Sequence, residues 1–289
     1  MVKTIFFGSS LYSNIVLKSL LSIKDIEVVA VVTKPDKPTG RLQAITANPV
    51  ADFAKNHHLN LLQPVDFDPQ FLSIYKNLSP DLVICVAYGP PFFTQEMIDI
   101  PTYKIVNIHP SPLPKYRGAT PGPWQIINGE TNSAVTFFQI DALPDHGPII
   151  SQIPFDIKPT WTSHDFYQKA FEIAATHLDE TLKSYILNPK SIISQDHSLK
   201  SYFPKFTKDT AKIDWSWSVD KIDRFIRAMN PWPIAWTQVK NLNNNQTHSM
   251  KIFTAKLNQD KLIPIDVQLE SKTKTTWNQI SSYYSILKS

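Results

Sequence analysis

A chain of 289 residues, 42% hydrophobic and 19% charged, is long enough for about two domains and apolar enough to bury real cores, which excludes an intrinsically disordered protein. Its longest apolar runs, such as residues 81–87, fall far short of the ~20 residues that a membrane-spanning helix needs, and the opening residues lack the order of a secretory signal, so a cytoplasmic protein with no membrane partner is expected. The formal charge of +4 hides a division: residues 199–289 hold 14 Lys and Arg against 7 Asp and Glu, whereas residues 1–198 hold 15 against 18, so a basic back suited to a polyanion, or simply to solubility, follows a mildly acidic front.

Residues 3–8 read as an opening strand, residues 11–21 as a helix with Ile15, Val16, Leu17 and Leu20 on its apolar face, and residues 26–33 as a second strand. Helical patterns near 49–55 and 70–76 and strands at 81–87 and 104–108 continue this rhythm, which predicts an α/β domain with a mostly parallel sheet. Functional residues in such sheets gather at the carboxyl ends of strands. Strands at 134–140 and 149–155 and a long helix over 163–187, with Ser163 as its N-cap, complete a first domain at 1–187. Residues 188–204 lose apolar periodicity and read as a linker. In the second domain, 205–289, a short helix at 219–229 precedes apolar runs at 236–239, 250–253 and 263–269, with a turn at 243–245; a small β-barrel is the expected arrangement and a sandwich the alternative. Cys85, the one cysteine, sits inside an apolar run and reads as a buried hydrophobe.

The densest constellation of polar chemistry follows the strand at 104–108: Asn107-Ile-His-Pro-Ser-Pro-Leu-Pro-Lys-Tyr-Arg-Gly-Ala-Thr-Pro121. Asn107 and His109 lie two apart, so on an extended strand they point to the same side. The Asn107 amide can donate to a carbonyl oxygen that gains charge, and His109 can move a proton near neutral pH. A carboxylate beside the imidazole would complete the set, and both Asp141 and Asp145 are candidates; the alternative is an ordinary loop histidine with two surface aspartates. Gly8-Ser-Ser-Leu after the first strand is neither G-x-G-x-x-G nor a P-loop. No H-E-x-x-H or C-x-x-C occurs, so no metal is expected, and His57-His58 reads as a solvated helix end. Ser111, hemmed in by Pro110 and Pro112, is no nucleophile elbow.

Residues 107–121, with Ala87-Tyr-Gly89 before them and Asp141-Ala-Leu-Pro-Asp-His-Gly147 after, resemble the active-site set of folate-dependent formyltransferases. More narrowly, Thr33-Lys-Pro-Asp-Lys-Pro-Thr-Gly-Arg41, Ala211-Lys-Ile-Asp-Trp-Ser216 and Arg227-Ala-Met-Asn-Pro-Trp-Pro233 resemble the methionyl-tRNA formyltransferase family, and the resemblance spans nearly the whole chain. It implies a Rossmann-like domain that holds 10-formyltetrahydrofolate, then an OB-like β-barrel that grips initiator methionyl-tRNA, in a monomer that serves translation initiation. It also implies roles. Asn107 would donate to the formyl oxyanion, His109 would act in proton transfer, and Asp145, two residues before Gly147 as in the family, would orient and charge His109. Val86, Ala87, Tyr88, Gly89, Ser111, Pro112, Leu113, Pro114 and Asp141 would line the folate slot, and Arg41, Lys37 and Arg117 would meet the tRNA.

Where the family has Asp-x-Gly-x-Asp-Thr-Gly, Leu143 replaces a glycine, Pro144 fixes φ before Asp145, and His146 brings a second imidazole within reach of Asp145 or His109. Between Lys256 and Leu262 a longer strand and turn are cut to five residues, so the barrel is expected to lack a hairpin or to close differently. An amino sugar nucleotide as acceptor, or water in a hydrolase, would use the same Asn107, His109 and Asp145.

Overall fold

The computed structural model describes residues 1–289 except 40–43, 47, 259, 260 and 289. By its internal contacts the chain forms two units: Met1–Gly118, Ala134–Phe155 and Gln168–Tyr202 make the first, and Ala119–Ser133, Asp156–Tyr167 and Phe203–Ser289 the second.

In the first unit, β1 (Val2–Gly8), α1 (Ser13–Leu20) and β2 (Ile26–Val32) precede a ribbon of β3 (Lys37–Thr39) and β4 (Ala44–Thr46). Then come α2 (Pro49–Asn56), β5 (Leu61–Leu62), α3 (Pro69–Leu78), β6 (Leu82–Val86), α4 (Gln95–Asp99) and β7 (Ile105–His109). After α5 (Pro121–Asn128), strands β8 (Asn132–Gln139) and β9 (Ile149–Asp156) complete a seven-stranded sheet of order β5-β2-β1-β6-β7-β8-β9, and α6 (Ser163–Leu187) follows. The pairs β1–β2, β2–β5, β1–β6 and β6–β7 are parallel and β7–β8 is antiparallel, so the mostly parallel sheet is borne out. Parallel strands are covered on both faces. Accordingly Ile5, Phe6 and Phe7 of β1 and Leu82, Val83, Ile84 and Val86 of β6 are fully buried. Cys85 is buried as expected, and burial pushes its thiol up to about 12. Helices α2 and α3 both open on proline, and the side chains of Asn48 and Asp68 before them accept from the amides of Val50 and Phe71. The strand order reverses at β1 and β6, which opens a crevice at their carboxyl ends.

The second unit holds α5, then α7 (Val219–Ala228), β10 (Trp236–Asn241), β11 (Thr247–Ile252), β12 (Ala255–Asn258), β13 (Lys261–Pro264), β14 (Asp266–Leu269), β15 (Thr275–Thr276), α8 (Trp277–Ile280) and β16 (Tyr284–Leu287). Strands β15-β14-β11-β10-β16 form one antiparallel sheet, and β12 pairs with β13. The shortened segment therefore keeps a hairpin, as a separate ribbon, while among the described residues β15 and β16 stay the outer strands of an open half-barrel.

Two local expectations are corrected. Thr162, rather than Ser163, caps α6: its hydroxyl accepts from the Asp165 amide at 3.3 Å while the Asp165 carboxylate accepts from the Thr162 amide at 2.9 Å. Ser163 Oγ donates instead to the Ala228 carbonyl at 2.5 Å. Helix α5, absent from the sequence reading, begins Pro-Gly-Pro, which hides a helix whose first turn tolerates proline. Its Trp124 ring stacks on Phe206 with centroids 4.5 Å apart, and Trp124 Nε1 donates to the Pro204 carbonyl at 2.9 Å. Such contacts draw α5 into the second unit, which therefore does not follow a single cut after residue 187.

Candidate active site

Strand β7 carries Asn107 and His109 at its carboxyl end. Asn107 stands in register with Cys85 on β6 and Phe138 on β8, and His109 with Thr136. Because the side-chain period of a strand is two, both project to one face. Asn107 is half-buried, and among the described residues nothing hydrogen-bonds its side chain, so the amide keeps its donors for another molecule. His109 is buried, with its ring edge-on to Phe138. Its Nε2 lies 3.0 Å from the Tyr116 carbonyl, and its Nδ1 lies 3.7 Å from Asp145 Oδ1. A carbonyl only accepts, so Nε2 carries a proton, and a proton on Nδ1 would face the carboxylate. The 3.7 Å gap exceeds a hydrogen bond, so the pair is an approach of imidazole and carboxylate without one.

Asp145, rather than Asp141, is the carboxylate at the imidazole. Its Oδ2 accepts from the Gly118 amide at 2.8 Å, and its backbone adopts φ 50°, the left-handed region that costs a non-glycine residue about 1 kcal/mol and persists only where surroundings enforce it. Asp141 is used elsewhere: Oδ1 accepts from the Leu143 amide at 3.0 Å and Oδ2 lies 2.6 Å from His146 Nδ1. His146 therefore turns to Asp141 and not to Asp145 or His109.

The other expected site residues divide by exposure. Val86, Tyr88, Ser111 and Leu113 are buried, backbone included, and their carbonyls accept from Ser13, Ser9, Thr136 and Gln152, whereas Ala87 and Gly89 are exposed and Pro112, Pro114 and Asp141 are half-exposed. Ser111 Oγ donates to the Lys115 carbonyl at 2.8 Å. Tyr88 joins the rings of Phe7, Phe67 and Phe93 in the core. Beside it, Lys34 Nζ lies 3.7 Å from the Tyr88 centroid and donates to the Pro90 carbonyl, and burial lowers the ammonium to about 8. Lys37 is exposed, and Arg41 lies outside the described residues. The expected tRNA contact of Arg117 is corrected: the residue is 6% exposed and its guanidinium is taken up by Gln195 and His197. Burial lowers its pKa, opposed by Asp145 and Asp141.

Sequence reasoning missed Gln195 and His197, which lie in the segment read as a linker. That segment is stitched to the site: Ser201 Oγ accepts from the Tyr116 amide, the Ser201 carbonyl from the Arg117 amide, and Ile193 exchanges backbone bonds with Ile149. Polar bonds of this kind leave no apolar periodicity, so the sequence carried no signal for them. Among the described residues no group of three His, Cys, Asp or Glu is placed to hold a metal ion, and no helix is long and apolar enough to cross a membrane.

The formyl transferase profile matches residues 2–182, and the formyl transferase C-terminal domain profile matches residues 205–278. Methionyl-tRNA formyltransferase of Acetivibrio thermocellus is 37% identical over 83% of this chain and 76% of its own length, and that of Protochlamydia amoebophila is 34% identical over 91% and 80%. Among solved structures, methionyl-tRNA formyltransferase from Clostridium thermocellum shares the fold at a TM-score of 0.62 and 14% identity, covering 93% of this chain and 99% of that one. An N-formyltransferase from Helicobacter canadensis, in complex with folinic acid and dTDP-3-aminofucose, does so at a TM-score of 0.65 and 22% identity, covering 89% and 88%. With matching profiles over both its parts and relatives above 30% identity over most of its length, the chain belongs to the formyl transferase family.

Proposed function

We propose that this chain transfers the formyl group of 10-formyltetrahydrofolate to the α-amino group of initiator methionyl-tRNA, giving the formylated tRNA for translation initiation. The observation that carries the reading is His109, buried at the end of β7 with Asp145 3.7 Å from Nδ1, two residues after an amide with unclaimed donors. Relatives of that name at 34–37% identity support the acceptor.

The folate would supply an activated formyl group. The crevice suits it: the backbone at Ala87 and Gly89 is exposed beyond β6, and a Cβ at Gly89 would meet nothing within 4 Å. Ala87, Gly89, Pro112, Pro114 and Asp141 are the residues we assign to it, with the buried Val86, Tyr88, Ser111 and Leu113 supporting them from behind. The attacking amine must be neutral, and a free α-amino group with a pKa of ~7.7–8.0 needs little help to become so. Positioning and charge stabilisation then dominate. The amine attacks the formyl carbon, the bond from that carbon to the folate nitrogen breaks, and the proton that the amine loses passes by way of His109 to the folate nitrogen, while the Asn107 amide donates to the oxygen that gains charge and Asp145 keeps the imidazole oriented. Lys37 and Arg41 serve the tRNA, and the basic residues 205–289 hold its phosphates.

Purified protein incubated with 10-formyltetrahydrofolate and methionyl initiator tRNA is expected to yield formyl-methionine after ester cleavage, with no formate released when tRNA is omitted. Formate without an acceptor would make the chain a hydrolase, and formylation of an amino sugar nucleotide alone would overturn the acceptor.

A further inference from the structure

His146, where the family pattern has threonine, belongs to a connected set of polar contacts behind the active site. Its Nδ1 is 2.6 Å from Asp141 Oδ2, and its ring lies on that of His197 with centroids 3.9 Å apart and planes 10° from parallel. His197 Nδ1 is 2.8 Å from Arg117 Nη2. A guanidinium only donates, so this nitrogen accepts and the His197 ring keeps its proton on Nε2. Arg117 Nη2 also donates to Gln195 Oε1 at 2.6 Å, and Gln195 Nε2 donates to the carbonyls of Asp145 at 3.1 Å and Gly147 at 2.7 Å. Gln195 and Arg117 are 5% and 6% exposed, so these bonds are dry and costly to leave unmade. They end on the backbone of Asp145, whose left-handed φ needs such enforcement.

We propose that Gln195 is a positioning residue for formyl transfer: with Arg117 and the stacked His146–His197 pair it holds residues 141–147 so that Asp145 keeps facing His109, and proton uptake by His197 releases that hold. This rests on the assignment of His109 and Asp145 to the reaction. A doubly protonated His197 has no lone pair for Arg117 and sets a new cation against the guanidinium. The charged and titratable groups around it are His146 and Asp141 from the loop, Arg117 from the segment after β7, and Asp196 and Lys200 from its own segment. Burial, then His146, Arg117 and Lys200, hold the ring below its ordinary 6.5, and Asp141 opposes them. The unfolded chain therefore takes up the proton first as pH falls. The clamp's contribution is full above about 6.5 and is lost as pH drops through the lower folded value.

The test compares kcat, both KM values and melting temperature for the wild type, Gln195→Ala, His197→Gln and His109→Ala between about pH 5.5 and 8. Gln195→Ala is expected to lower kcat by roughly tenfold or more while the KM for tRNA stays within about twofold. Glutamine at 197 accepts from Arg117 but does not titrate, and all other titrations are shared. The ratio of wild-type to His197→Gln kcat is therefore expected to be constant above about pH 6.5 and to fall progressively as pH drops below it. A folded Gln195→Ala with wild-type kcat, or a flat ratio, overturns the proposal, and an inactive His109→Ala beside it leaves the reaction assignment standing. An active His109→Ala overturns both. Should Gln195→Ala fail to fold, the ratio alone decides.

Discussion

Gly147 is the residue at which the loop that carries Asp145 rejoins the sheet, and a Cβ there would lie 1.9 Å from the Gln139 carbonyl oxygen and 3.0 Å from its carbon. Both atoms are backbone of β8, so no side chain can swing aside, and the two segments must part by more than about 1 Å to reach ordinary contact. One hydrogen bond spans this junction, from the Gln139 amide to the Pro148 carbonyl at 2.9 Å, and a second, from Gln195 to the Gly147 carbonyl at 2.7 Å, anchors its loop side. Losing them at about 1 kcal/mol each, with about 1–3 kcal/mol of overpacking, makes Gly147→Ala destabilising by about 3–5 kcal/mol. That is a large part of a typical stability of about 5–15 kcal/mol, so the variant is expected to fold but to melt roughly 5–15 °C lower by calorimetry. Asp145 lies two residues upstream, and a shift of about 1 Å in such a group costs about 10²-fold in kcat, measured by formyl transfer well below the melting point. Gly89→Ala is the control, since only its φ of 72° resists the change and the new methyl meets open space, which limits the loss of stability to about 1 kcal/mol. A Gly147→Ala variant with wild-type melting temperature and kcat would refute the close approach and the coupling of this junction to Asp145.

Three further outcomes are expected. His109→Ala and Asn107→Ala each lower kcat by roughly 10²-fold or more in chains that still fold, with some loss of melting temperature for the buried His109, and a fully active, folded variant of either removes that residue from the reaction. The KM for tRNA rises steeply with salt while that for the folate does not, because phosphate contacts release counterions, and a salt-independent KM for tRNA would count against the basic residues 205–289 as its holder. Cys85, with its thiol pushed by burial up to about 12, resists alkylation in the native protein at pH 8 and reacts in denaturant, as mass spectrometry would record; rapid native labelling would contradict its burial.

The parallel strands were legible because strands covered on both faces must be largely apolar, and the runs that became β1, β2, β6 and β7 are so apart from their ends and the polar Asn107 and His109 of the site. The motif at 107–121 was legible as chemistry because spacing along one strand decides which side chains share a face, and Asn107 and His109 do. The choice of Asp145 over Asp141 came from the family pattern, and the structure adds the 3.7 Å approach that spacing could not show.

Sequence by itself determined the local rules: which runs are buried, where helices may start, and which polar types stand near one another along the chain. Tertiary structure alone decided the partners. Arg117 reads as a tRNA-facing cation until it is found buried on Gln195 and His197, 78 and 80 residues away. His146 reads as a neighbour of Asp145 until it is found on Asp141 and stacked on His197. Residues 188–204 read as a connector because they hold the site through hydrogen bonds rather than an apolar stripe. A hydrogen bond between distant residues imposes no period on either segment, and for that reason only the folded chain displays it.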